Sequence, residues 1–287
     1  TETPAMQNSS RLIAGGVGLA LLVTTGAASA GRVLRVCADP DNLPYSNQKR
    51  EGFENKLVDL IAKDLHAKVK YAWVRQRRAL VRRTLTANAC DILPGIPDGL
   101  EKTLTTKPYY RSTYVFVYRK DDGLHLRSFD DPALRRLRIG LHAIGSEGSN
   151  PPPSYALVRR GILDNVVGFK MWDVDSVKNP QGRIVEAVAN RDIDVAIVWG
   201  PFGGYFAKGQ KTALEVVPVS PASEPPGIPF TFAMSMGVRP GETALKTELE
   251  GVLQRRRKDI EKILDAYGIP VIRTDPAAAA GSVQATN

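Results

Sequence analysis

Two rounds of strand and helix patterning, separated by a turn-rich polar stretch, constrain this chain more than any other feature of its 287 residues. In the first round, "RVLRVCAD" (32–39), "KVKYAWV" (68–74), "CDILPG" (90–95) and "TYVFVYR" (113–119) read as strands. Between them, "GFENKLVDLIAKDLHA" (52–67) sets Leu57, Leu60, Ile61 and Leu65 at helical spacing, with acids early and lysines late. "RRALVRRTLTAN" (77–88) reads as a basic amphipathic helix. After "KDDGLHLRSFDDPALRRL" the alternation restarts, with strands at 138–145, 166–172 and 194–200 and helices at 152–162 and 182–193. A Pro-rich link then leads into the strand "FTFAMSMGV" (230–238) and one long helical pattern over 242–268. Such alternation predicts α/β layers. The expected architecture is two lobes, each a mainly parallel sheet flanked by helices, with a ligand crevice between them at the carboxyl ends of strands. The expected bounds are 31–123 for the first part of lobe 1, 124–225 for lobe 2 and 226–273 for the return segment. Residues 274–287, rich in Ala, Gly and Ser, read as a disordered tail.

The first thirty residues follow a different rule. Arg11 precedes the apolar run "LIAGGVGLALLV", which gives way to the small residues Ala28, Ser29 and Ala30. The run is well short of the ~20 residues a membrane span needs, so the segment reads as a signal peptide cut after Ala30. The expected location is the periplasm, with no stable membrane insertion. The net charge of +9 favours acidic partners, but no nucleic-acid module is present. Cys37 and Cys90 each fall at an apolar strand signal. In an oxidising compartment this pair reads as a disulfide, with two buried free thiols as the alternative.

Several chemistries fail on spacing. Placing Asp39 of "DPDN" first in an EF-hand loop puts Pro44 and Arg50 where Gly and an acid are required, so Asp39 and Asn42 are expected to shape a turn. His66, His125 and His142 have no zinc spacing and read as surface or turn residues. There is no haem-attachment motif, no phosphate-binding loop and no propeller repeat, and no nucleophile pairs with a base. No catalytic residue, metal ligand or cofactor is expected.

"RVCADPDNLPYSN", "GFENKLVDLIAKDL", "CDILPGIPDG" and "TKPYYRSTYVFVYRK" together resemble the type II periplasmic solute-binding proteins of ABC importers. The likeness runs through nearly the whole chain after residue 30. It implies that the segment after Pro108 faces the cleft, which makes Tyr109, Tyr110 and Arg111 cleft candidates beside Asp39, Tyr45, Asp98, Ser146, Trp199 and Phe202. Amino-acid binders of this superfamily hold the ligand carboxylate with an Arg and its ammonium with an acid. Here the corresponding loop, "GIPDGLEKTL", has no Arg, and Trp199 and Gly200 follow the "DVAIV" strand. An amino acid is therefore a poor ligand. The wording "CADPDNLPYSN", "GFENKL", Trp73 to Arg78 and "PYYRSTYVFVYR" is similar to a narrower branch, the J-type proteins (MxaJ and XoxJ) of methanol dehydrogenase operons. That resemblance implies a non-catalytic accessory protein that binds a PQQ-dependent methanol or alcohol dehydrogenase and assists its activation or maturation, with its cytochrome c as a further candidate partner. Arg75, Arg77, Arg78, Arg82 and Arg83 are candidates for the partner surface. The alternative is a solute-binding component of an importer, taking a small neutral or aromatic molecule.

Overall fold

The computed structural model describes Thr1 and residues 31–76, 79–143, 150–171 and 178–273. Residues 2–30, expected to form a signal peptide, together with Arg77, Arg78, Ser146 and the expected tail at 274–287, lie outside the described residues. Among the described residues no helix is long and apolar enough to cross a membrane.

Strand β1 (Val33–Ala38) is followed by helix α1 (Phe53–Asp64) and strand β2 (Lys68–Trp73), which pairs in parallel with β1. The helix forms where the spacing predicts. Phe53, Leu57, Val58 and Ile61 are buried on one face, and Asn55 Oδ1 accepts from the Gly52 N–H at 3.1 Å, satisfying a donor at the helix start. Strand β3 (Leu93–Pro97) continues the lobe, and a single parallel bridge joins Val36 of β1 to Ile92 just ahead of it. The basic helix expected over 77–88 is shorter. Helical turns begin at Leu80 and wind as a π-helix over Arg82–Thr86, where the Thr84 hydroxyl donates to the Leu80 carbonyl at 2.7 Å.

Strand β4 (Tyr110–Arg119) joins the two halves of the molecule. Beyond it come β5 (Ile139–Ala143), α2 (Pro152–Arg159), β6 (Val166–Lys170), α3 (Arg183–Ala189), β7 (Val195–Trp199), α4 (Gly200–Lys208), β8 (Leu214–Pro218) and β9 (Thr231–Val238). Strands β6, β5 and β7 are parallel neighbours. Residues 110–113 of β4 pair antiparallel with β9, whereas 114–118 pair antiparallel with β7 and 115–119 with β8. Strand β9 in turn pairs antiparallel with β3. The mainly parallel sheets are thus bridged by two antiparallel strands. We place the crossing between lobes inside β4, near Thr113, ahead of the 123/124 position that the polar stretch suggested. The packing agrees, since Tyr110 belongs to the core of α1 and β9 while Val115 and Phe116 belong to the cores around β7.

Helix α4 is not apparent from "GPFGGYFAK", which contains three glycines and a proline. Those residues suit its position. Pro201 sits in the first turn, and a Cβ at Gly204 would stand 1.9 Å from the Gly268 carbonyl oxygen, so only glycine lets the helix approach that turn. The long C-terminal pattern is divided into α5 (Thr243–Arg255) and α6 (Arg257–Ala266). At the division Arg255 Nη2 and Arg256 Nε bind the Asp64 carboxylate of α1 at 2.5 and 2.7 Å.

Candidate functional site

A cavity of about 450 Å³ lies between the lobes, a size suited to a small ligand. The ends of β1 and β3 and the loop after β1 form one wall. Tyr114 of β4, Phe232 and Met234 of β9, and Trp199 and Phe202 form the other. Trp199 makes edge contacts with Tyr114 and Phe232, with ring centroids 5.5 and 5.7 Å apart. The lobes meet over the cavity. Tyr45 packs edge-on against Phe202 at 5.4 Å, and Gln181 Nε2 donates to the Asp41 carbonyl at 3.3 Å.

The polar side of the cavity consists of Asp39, Asn42, Ser46, Glu54 and Gln76. Asp39 accepts from the Asp41 N–H at 2.9 Å and the Gln76 N–H at 2.5 Å, so its carboxylate fixes the turn after β1. Asn42 donates to Gln76 Oε1 at 2.8 Å, while its own Oδ1 is buried without a partner among the described residues. Glu54 differs from these. It is 7% exposed and lies in the first turn of α1. A Cβ on Gly95 would stand 1.9 Å from Glu54 Oε1, so glycine leaves the space this carboxyl occupies. No donor among the described residues reaches it. Burial first, then the nearby Asp39 carboxylate, pushes Glu54 up to about 8.

Of the residues marked in the sequence, Asp39, Tyr45, Trp199 and Phe202 line this cavity. Tyr109, Tyr110, Arg111 and Asp98 do not. Tyr109 donates its hydroxyl to the Pro94 carbonyl at 3.0 Å, behind the wall. Tyr110 is 4% exposed, packs edge-on against Phe53 at 6.0 Å, and has no partner for its hydroxyl among the described residues. Arg111 points outward on the opposite face of β4. Asp98 accepts from Thr105 Oγ1 at 2.9 Å and Ser235 Oγ at 3.2 Å, tying the end of β3 to its neighbours. The aromatic residue that β4 contributes to the cleft is Tyr114, four residues further along. His142 is also misplaced by the surface reading. It is 5% exposed on β5, with Nε2 3.0 Å from the Gln181 carbonyl oxygen, and burial pulls it down to about 4. Cys37 and Cys90 form a disulfide, and Cys37 belongs to the cavity wall.

Arg75, Arg82 and Arg83 are exposed. No carboxylate among the described residues lies within ion-pair distance of them, although Arg83 Nη2 donates to the Arg75 carbonyl at 3.1 Å. Arg255 and Arg256 differ, being engaged by Asp64.

Residues 34–269 match the family model described as bacterial extracellular solute-binding proteins, family 3. The chain belongs to this family. Within it, the chain is 30% identical to protein MoxJ of Methylorubrum extorquens, over 87% of this chain and 86% of the relative. The crystal structure of periplasmic binding protein XoxJ from Methylobacterium extorquens AM1 superposes with a TM-score of 0.69 at 36% identity, covering 84% of this chain and all of that one. That of MxaJ from Methlophaga aminisulfidivorans MPT gives 0.73 at 27% identity, covering 83% and 100%. The family's two-lobed fold accounts for the bridging strands β4 and β9 and for the cavity at their crossing.

Proposed function

We propose that this chain is a periplasmic, non-catalytic accessory protein that binds a PQQ-dependent methanol or alcohol dehydrogenase and assists its activation or maturation. The observation that carries this reading is the likeness to XoxJ over that chain's whole length. The cleft supports it, since Trp199 and Phe202 line it at the end of the strand where the resemblance to amino-acid binders leads one to expect an acid for the ligand ammonium. Assistance requires that the protein bind one state of the dehydrogenase better than another, because equal affinity for both would shift neither. The exposed arginines 75, 82 and 83, with no ion-pair partner among the described residues, supply a surface that speeds encounter with an acidic partner. The dehydrogenase's cytochrome c is a second candidate for that surface.

Size-exclusion chromatography with the purified dehydrogenase tests this proposal. A shared peak is expected at low ionic strength, dispersing at about 0.5 M salt as the screening length shortens. Reversing Arg75, Arg82 and Arg83 to Glu should weaken the complex by at least about tenfold. Separate peaks in both buffers would contradict the partner reading. A complex indifferent to the three reversals would contradict only the surface.

A further inference from the structure

The polar side of the cavity carries two carboxyls, from Asp39 and Glu54, beside Ser46, Asn42 and Gln76. Among the described residues no donor reaches the Glu54 carboxyl, and none reaches Asn42 Oδ1, on a side chain 2% exposed. Asp39 adds a second carboxylate. No Lys, Arg or His stands among the described residues lining the cavity, although the chain as a whole carries +9. Facing these acceptors are Tyr45, Tyr114, Trp199, Phe202 and Phe232. Buried acceptors without donors are costly to keep. Aromatic faces attract cations that have lost their water. Such a site is completed by a group that donates N–H bonds and carries positive charge on an apolar body.

We propose that the cavity is a binding site for a small organic ammonium ion, a primary amine whose N–H groups bond to Glu54 and Asn42 and whose apolar body packs against Trp199, Tyr114 and Phe232. A neutral aromatic solute would leave the Glu54 carboxyl and Asn42 Oδ1 unanswered. An amino acid would bring a carboxylate into a cavity already lined by two acids. This site needs only the cavity, so it stands or falls separately from the dehydrogenase complex.

Binding is coupled to protons. Among the described residues, the ionisable groups facing Glu54 are Asp39 after β1, Tyr45 in the following loop, and Tyr109 and Tyr110 at the start of β4. None of them supplies a positive charge. Glu54 therefore holds its proton in the free protein at neutral pH and gives it up when an ammonium arrives. Affinity for the amine should rise toward tenfold per pH unit below neutrality and level off above about 8, well short of the amine's own pKa of about 10.

Isothermal titration calorimetry with benzylamine, benzyl alcohol and benzoate tests the assignment. Run at neutral pH in two buffers of different ionisation enthalpy, it also counts protons. Benzylamine should bind at least about tenfold more tightly than either analogue, releasing close to one proton per site. Glu54→Gln should lose that preference and the proton release together, and the wild-type proton count stands even if the variant misfolds. Equal or tighter binding of the alcohol or the carboxylate would overturn the proposal. So would amine binding without proton release, or no amine binding at millimolar concentration.

Discussion

Replacing Cys37 and Cys90 together by Ala, or reducing their disulfide, is expected to lower the folding free energy by about 4 kcal/mol. The bond closes a loop with a sequence separation of 53, and holding that loop shut removes much of the unfolded chain's freedom. Leu85, Leu93 and Ile96 pack around the two sulfurs, so the loss falls on the wall that separates the cavity from the Arg82–Thr86 helix. Urea unfolding of oxidised and reduced protein measures the difference. A change below about 1 kcal/mol would mean that the unfolded chain is already compact across this loop.

Glu54→Gln is expected to act in the opposite direction, stabilising the protein by roughly 3 kcal/mol at neutral pH. In the folded chain Glu54 holds its proton up to about 8, whereas the unfolded chain releases it near the ordinary glutamate value of 4.5. Between those values the folded state binds the extra proton. The native protein should therefore lose stability as pH rises from about 4.5 to about 8, and change little from this group on either side. Glutamine removes that slope. The variant and the wild type should converge near pH 4, where both side chains are neutral in both states. Unfolding curves across that range check the sign, and a variant less stable at neutral pH would contradict the raised titration of this buried carboxyl. A group that weakens the fold at its working pH is retained for another reason, and the ammonium site supplies one.

The α/β alternation was legible because buried strands and amphipathic helices differ in period, as in Leu57 and Ile61 against "TYVFVYR". Trp199 and Phe202 were legible because aromatics stand where the resemblance places a charged clamp. Tyr109 and Tyr110 were assigned to the cleft for a reason that sequence period cannot correct. Strand β4 runs from the core of one lobe, across the cleft, into the core of the other. Tyr110, Tyr114 and Tyr118 share one face and differ only in what lies opposite them. The partner strands decide this, and the pairing of 110–113 with β9 is long-range information.

Glu54 passed as one of the acids that favour a helix start. A signal was present in Val58, an apolar residue one turn further on, which widens the buried face beyond the Phe53, Leu57 and Ile61 stripe. Nothing local shows that Gly95 would be placed against the carboxyl to make room for it. Helix α4 was hidden because its glycines argue against a helix, and the close approach to Gly268 that requires them is visible only in the assembled structure.

The most direct test of the account is the state of the dehydrogenase in cells lacking this protein. The measurement is activity per mole of purified dehydrogenase, beside its PQQ and metal content, with and without the gene restored. The account predicts that the dehydrogenase still accumulates but has a sharply reduced active fraction, recovered on restoration. Dehydrogenase of full specific activity and full cofactor content from the deleted strain would contradict it.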